Sequence, residues 1–219
     1  LRGARLACRR GVRILGLNMG HGGFLALAGP HSGTDALARL SRGAYTIERR
    51  LALEARLGDG EPFVAVNDVV VHKGRIARVI RLSVAVDGEA VGPYSADGII
   101  VATPTGSTAY SMSAGGPIVV PGVDALVITA ICPHTLAVRP LVVPSTAHIT
   151  ICPLEPLPGP DTDLVVSIDG QVAAHIAPRQ ELHVARAPNP VLLARLGEES
   201  YFGRLSLKLQ WGDLSDRKG

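Results

Sequence analysis

From Tyr45 onward the chain is a succession of short apolar runs, rich in Val, Ile, Leu and Ala, each stopped by Gly, Pro, Asp or Asn. Runs of that length, bounded by turn residues, read as strands. They cover Tyr45 to Leu57, Phe63 to His72, Val79 to Val86, Gly98 to Thr103, Ala125 to Cys132, Leu136 to Val143, His148 to Cys152, Leu164 to Ile168 and Glu181 to Arg186. Asp87-Gly88 sits between two such runs and predicts a tight hairpin turn. Many short strands must bury their apolar faces against one another, so this region predicts a β-rich, sandwich-like domain. Aromatic residues are only 4% of the chain, which leaves aliphatic side chains to fill the core.

The first residues follow a different rhythm. Leu1 to Arg10 predicts the end of an amphipathic helix, with Arg9 and Arg10 placed where cations suit the helix dipole. Gly11 ends it, Val12 to Leu17 predicts a short buried strand, and a glycine-rich turn follows at Gly20, Gly22 and Gly23. Helix, strand and glycine turn make part of an α/β unit. Thr34 to Leu40 predicts one further short helix, capped by Ser32 or Thr34. The expected organisation is an α/β remnant over residues 1–32 and a β-rich domain over 33–190. A last segment, 191–219, is expected to return to the first.

Charge and cysteine content limit the functional classes. Of 22 basic residues only Lys73, Lys208 and Lys218 are lysines, and the net charge is +3. The arginines are scattered rather than gathered into a stripe with interleaved aromatics, which argues against nucleic acid as a partner. Three cysteines, Cys8, Cys132 and Cys152, have no paired spacing and fit a reducing cytoplasm. The most apolar stretch, Pro117 to Pro133, is interrupted by Pro121 and Asp124 and is no membrane span. The seven histidines stand singly, without the offsets of a chelating site.

Three segments could carry chemistry. In Asp97 to Pro117 a buried strand runs into Pro104, Thr105, Gly106, Ser107 and Thr108, then into helix-compatible residues. A strand-to-helix corner of small hydroxyl residues leaves backbone N–H groups free for a phosphate or the polar edge of a nucleotide. It can equally be an ordinary turn capped by Ser107 or Thr108. Asn67-Asp68 interrupts the apolar run VAVNDVVVH, and adjacent strand residues point to opposite faces. Either a ligand satisfies these polar groups, or a bulge or strand end does. Asn18 to Leu25 is a glycine-rich turn ending in an aromatic, a weak ligand-edge signal; His21 within it fits an exposed turn position.

Taken together these segments resemble the NAD kinase family. The resemblance runs through NMGHGGFLA (Asn18 to Ala26), YTIERRLALEAR (Tyr45 to Arg56), VNDVVV (Val66 to Val71) and ADGIIVATPTGSTAYSMSAGGP (Ala96 to Pro117). It continues through ICPHTLAVRPLVVP (Ile131 to Pro144), SIDGQ (Ser167 to Gln171) and KLQWG (Lys208 to Gly212). It implies the NAD kinase/diacylglycerol kinase-like fold. The implied activity is transfer of the ATP γ-phosphoryl group to the 2′-hydroxyl of the adenosine ribose of NAD, giving NADP. ATP and NAD are then substrates, and a divalent cation such as magnesium is implied to offset phosphate charge.

By the same resemblance Asn67 and Asp68 bind the adenine edge and the ribose hydroxyls. Thr105, Thr108, Ala109, Tyr110 and Ser113 line the NAD pocket, with Phe24 beside it. Asp97 falls on a carboxylate that reaches a neighbouring subunit's site, in a homodimer or homotetramer. A regular strand would put Asp97 roughly 20 Å from the Thr105 to Tyr110 corner, which favours that shared arrangement. The family's GGDGT loop, which supplies the catalytic aspartate, is not among these residues and is expected to end just before Leu1. Gly22 and Ser95 depart from the usual family residues. Two other readings stay open: a catalytically silent NAD(P)-binding module, and a lipid kinase of the diacylglycerol kinase-like group.

Overall fold

The computed structural model describes residues 1–16, 33–74, 79–154, 164–197 and 200–210. The chain divides into two compact units, Leu1–Val12 with Arg49–Leu192, and Arg13–Glu48 with Leu193–Gly219.

The first unit is a sandwich of two six-stranded sheets. One has the order β10-β9-β8-β5-β12-β13: β10 Leu141–Pro144, β9 Ala125–Ile131, β8 Gly98–Ala102, β5 Asp68–Lys73, β12 Leu164–Ile168 and β13 Gln171–His175. The other has the order β4-β3-β14-β11-β6-β7: β4 Phe63–Ala65, β3 Leu53–Leu57, β14 Leu182–Arg186, β11 Ile149–Pro153, β6 Ile80–Val86 and β7 Glu89–Ala96. Every pairing described within these sheets is antiparallel.

The alternation in the sequence explains the layers. Val69, Val71, Ile99, Val101, Leu126 and Ile128 point from the first sheet into the main core, where Leu53, Leu82, Ile149, Ile151 and Leu182 come from the second. The central strands of the first sheet are also covered on their other face. There Val70, Ile100, Ala102, Val127 and Ile131 form a smaller apolar cluster with Val119. Double coverage accounts for runs such as VVV and GIIVA, where no residue is left for solvent.

Helix α1 (Arg2–Arg10) belongs to this unit and buries Ala4, Ala7 and Cys8. It ends as expected at Gly11, which takes the left-handed conformation at φ 62° and returns its N–H to the last turn. A three-stranded sheet has the order β1-β15-β2 (Arg13–Ile14, Val191–Arg195, Thr46–Arg50); the second unit carries β1, residues 193–195 of β15 and 46–48 of β2, with α2 (Gly33–Ser41) and α4 (Tyr201–Leu209). Because α2 starts at Gly33, Thr34 lies inside the helix rather than capping it; Ser32 is outside the described residues.

Several sequence boundaries are corrected. The run Tyr45 to Leu57 is two strands, β2 and β3, separated at Leu51-Ala52. The run Phe63 to His72 is broken at Val66-Asn67 into β4 and β5. Of Leu136 to Val143 only the end is strand, and Leu136 is 92% exposed. The expected strand Val12 to Leu17 is described only to Gly16 and is paired only at Arg13–Ile14. The glycine-rich turn, with Phe24, lies outside the described residues. No helix among the described residues is long and apolar enough to cross a membrane.

Candidate nucleotide site

The break at Val66-Asn67 is built from three sides. First, the backbone N–H groups of Val66, Asn67 and Asp68 have no ladder partner at the bend. They donate instead to the Asp169 carboxylate, at 3.0, 2.7 and 3.3 Å to Oδ1. Asp169 stands in the two-residue turn between β12 and β13, at φ 50°, followed by Gly170 at φ 77°. Asp-Gly with both φ positive is the turn that matches strand twist in a hairpin. Second, the Asn67 carbonyl accepts from Thr103 N–H at 2.9 Å, while Thr103 Oγ1 donates to Val66 O at 2.7 Å. Third, Gly106 packs on the same peptide: a Cβ there would stand 2.0 Å from Asn67 O.

With its backbone held on each side, Asn67 presents its side chain to a cavity of about 430 Å³. That volume lies within the usual range of small-molecule sites. Asp68, Val70 and His72, alternate residues on one face of β5, form its floor. Ala109 and Tyr110 edge it from the corner, and Ser167, Asp169, Gly170 and Val172 from the β12–β13 hairpin. Of the two readings that the sequence left open, the bend is a strand end, and it also faces a cavity.

The electrostatics follow from burial. Asp68 is 4% exposed, and burial together with the neighbouring charge of Asp169 pushes its pKa up to about 6. Tyr110 is raised as well, first by desolvation and then by Cys132, Asp97 and Asp68. His72 Nδ1 lies 2.8 Å from Lys73 O, an acceptor only, so this nitrogen carries a proton. In the neutral ring Nε2 then accepts from the Ser167 hydroxyl at 2.9 Å.

The corner after β8 is tighter than a capped turn. Ser107 and Ser111 are fully buried. Ser107 Oγ donates to Pro104 O at 2.7 Å and accepts from Val119 N–H at 2.9 Å, so it ties the corner to the segment that follows α3. Thr108 Oγ1 donates back to Thr105 O at 3.2 Å. Neither hydroxyl caps α3 (Tyr110–Ser113), whose N-cap is Ala109 with no side-chain bond. Thr105 is buried, and its Oγ1 accepts from the buried Arg50 guanidinium at 3.2 Å.

Of the residues singled out from sequence, the fold gathers Asn67, Asp68, Ala109 and Tyr110 around one cavity. Thr105 and Thr108 build the corner behind it, and Ser113 is exposed on α3. Asp97 pairs with Lys73 at 2.6 Å. Helix α3 packs back on β8, and the charge of Asp97 adds to the upward shift of the Tyr110 phenol. His72, Ser167 and Asp169 were not expected. The Asp169-Gly170 dipeptide carried the same hairpin signal as Asp87-Gly88, but only the β5–β12 pairing brings the three to the cavity.

Comparison with known proteins identifies the family. Residues 66–196 match the ATP-NAD kinase C-terminal domain. The chain is 47% identical to an NAD kinase of Gemmatimonas aurantiaca, over 100% of this chain and 76% of that protein. It is 41% identical to an NAD kinase of Moorella thermoacetica, over 97% of this chain and 68% of that one. A crystal structure of yeast NADH kinase complexed with NADH superposes with a TM-score of 0.84 at 29% identity, covering 92% of this chain and 60% of the yeast chain. An NAD kinase from Archaeoglobus fulgidus in complex with ATP superposes at 0.75 and 27% identity, covering 90% and 74%. The chain belongs to the NAD kinase family.

Proposed function

We propose that the protein phosphorylates the adenosine ribose of NAD at its 2′-hydroxyl with ATP as donor, and that the β5 cavity holds the adenosine. The carrying observation is the Val66–Asp68 bend, whose backbone is fixed by Asp169, Thr103 and Gly106 while Asn67 and Asp68 line the cavity. In this reading the Asn67 amide pairs with the adenine edge and the Asp68 carboxylate accepts from ribose hydroxyls. Thr105, Thr108, Ala109, Tyr110 and Ser113 shape the pocket wall. Phe24 lies beside the NAD, and Asp97 reaches the NAD site of a neighbouring subunit.

Phosphoryl transfer asks a protein mainly to align donor and acceptor and to offset charge. This chain's part is to hold the acceptor ribose still and screened from water. In this reading the attacking hydroxyl passes its proton to an aspartate, the role that the resemblance gives to the family's GGDGT loop. Among the described residues no three His, Cys, Asp or Glu side chains gather into a metal-holding group. A divalent cation enters this reading as the companion of the ATP phosphates, a cation that such sites hold with one or two protein carboxylates. We also propose a cytoplasmic homodimer or homotetramer; sedimentation of the full-length protein as a monomer would reject the oligomer.

The test is Asn67→Ala in the full-length protein. Loss of a buried polar partner should weaken NAD binding by about 1–3 kcal/mol in a calorimetric titration. Thermal melting should stay within a degree or two. A lower melting temperature with normal affinity would return Asn67 to a purely structural role. The same samples, assayed for ATP-dependent NADP formation, separate a kinase from a catalytically silent NAD(P)-binding module. The 219 residues alone should bind NAD and form no NADP.

A further inference from the structure

We infer that Arg5 and Asp169 act as a positioning pair for Asn67 and Asp68, with Asp169 fixing the backbone of the bend and Arg5 fixing Asp169. The inference rests on the reading of the β5 cavity as the NAD site.

Asp169 has no exposed side-chain surface, and its carboxylate is turned to the backbone of the bend. It faces three successive backbone N–H groups, those of Val66, Asn67 and Asp68. Its own N–H donates to Asp68 O at 3.0 Å, closing the arrangement in both directions. The orientation of Asn67 is thereby a function of where the Asp169 carboxylate sits.

Among the described residues that carboxylate has one cationic neighbour, Arg5 of α1, with Nε 3.7 Å from Oδ2. The rest of the same guanidinium grips the hairpin on either side of the turn. It donates to Ile168 O at 3.2 Å and to Gln171 Oε1. Arg5 thus reaches from a helix across the β12–β13 turn and anchors it where Asp169 must point. A planar fork with five donors makes these contacts together, which an ammonium group cannot do.

The pair is also electrostatic. Asp68 and Asp169 are neighbouring buried carboxylates, and only Arg5 offsets the second among the contacts described. The titratable groups about Asp68 are Asp169 on the hairpin, Tyr110 on α3 and His72 further along β5, with Arg5 behind Asp169. Removing Arg5 leaves more uncompensated negative charge near Asp68, which favours its protonated form. Removing the Asp169 charge does the reverse.

The experiment uses the full-length protein with Arg5→Met, Arg5→Lys and Asp169→Asn, beside Asn67→Ala. Arg5→Met should raise KM for NAD about tenfold while KM for ATP stays within about twofold. The acid limb of NAD affinity should move to higher pH in Arg5→Met and to lower pH in Asp169→Asn, although both bind NAD more weakly near pH 8. Arg5→Lys, which keeps the charge but not the fork, should restore the limb without restoring the full affinity. Effects of Arg5→Met and Asp169→Asn should be far from additive, since one acts through the other. Unchanged KM for NAD in Arg5→Met, or acid limbs that move together, would overturn the positioning pair. If Asp169→Asn does not fold, the two Arg5 variants decide, because Arg5 is a half-buried surface contact of α1. If Asn67→Ala leaves NAD affinity intact, the reading of the cavity fails; weakened binding in Asn67→Ala with a normal Arg5→Met rejects the pair alone.

Discussion

Asp68 stands at the start of β5 because the chain needs a carboxylate there, not because the position welcomes one. Its side chain is nearly all buried, with Asp169 beside it, and its pKa rises from 3.8 to about 6. Between about pH 4 and pH 6 the folded protein keeps a proton that the unfolded chain has already released, so stability falls as pH rises through that window and then levels. Asp68→Asn removes the cost of burying charge. The variant should match the parent near pH 4 and exceed it above about pH 7, by up to roughly 2–3 kcal/mol from the size of the shift. NAD affinity should move the opposite way, since an amide replaces a charged acceptor. Melting curves at pH 4 and pH 8 check this: an equal difference at both values would mean that charge burial is not the cause. The trade belongs to a site residue, where stability is given up for a function.

At the scale of elements, the corner from β8 through the single 3-10 turn Gly106–Thr108 into α3 acts as one wall of the cavity. Gly106 is what lets that wall approach the bend. A methyl group there would overlap the Asn67 carbonyl, and both partners are backbone. Gly106→Ala should cost about 1–3 kcal/mol or more through overpacking and should weaken NAD binding together with it. Gly115→Ala, in open space at φ 87°, should cost only the backbone conformation and leave NAD affinity alone. A Gly106→Ala protein with unchanged affinity would detach the corner from the site. This wall was readable from sequence as a strand-to-helix corner because small hydroxyl residues and a glycine followed a buried run. The bend at Asn67 was readable because two polar residues broke an apolar pattern. Strands β7 and β13 gave no such signal: both lie at sheet edges, and most of their residues are exposed or half-buried, so no apolar alternation marks them. Arg5, His72 and Ser167 were equally silent, because their roles arise from strand order and pairing, which no local pattern encodes.

At the scale of the molecule, the sandwich and the cavity share one continuous stretch of chain. Every residue of the two apolar clusters lies within Arg49–Leu192, and so do all the cavity residues. That stretch has the length of an ordinary single domain and pairs all twelve strands of both sheets internally. The only part of the unit outside it is Leu1–Val12, which brings α1 and therefore Arg5. A polypeptide of residues 49–192 should consequently unfold in one cooperative transition, because the core that sets cooperativity is intact. It should also bind NAD more weakly than the 219-residue chain, because the Asp169 carboxylate then lacks its guanidinium and the hairpin its anchor. The loss should match that of Arg5→Met in the longer chain, about tenfold in Kd, if α1 contributes mainly through that side chain. Differential scanning calorimetry and a calorimetric titration on the same preparation read both quantities. A broad, non-cooperative transition would show that the sandwich depends on the remaining chain for its folding. A sharp transition with undiminished NAD affinity would show that the bend holds its shape without α1.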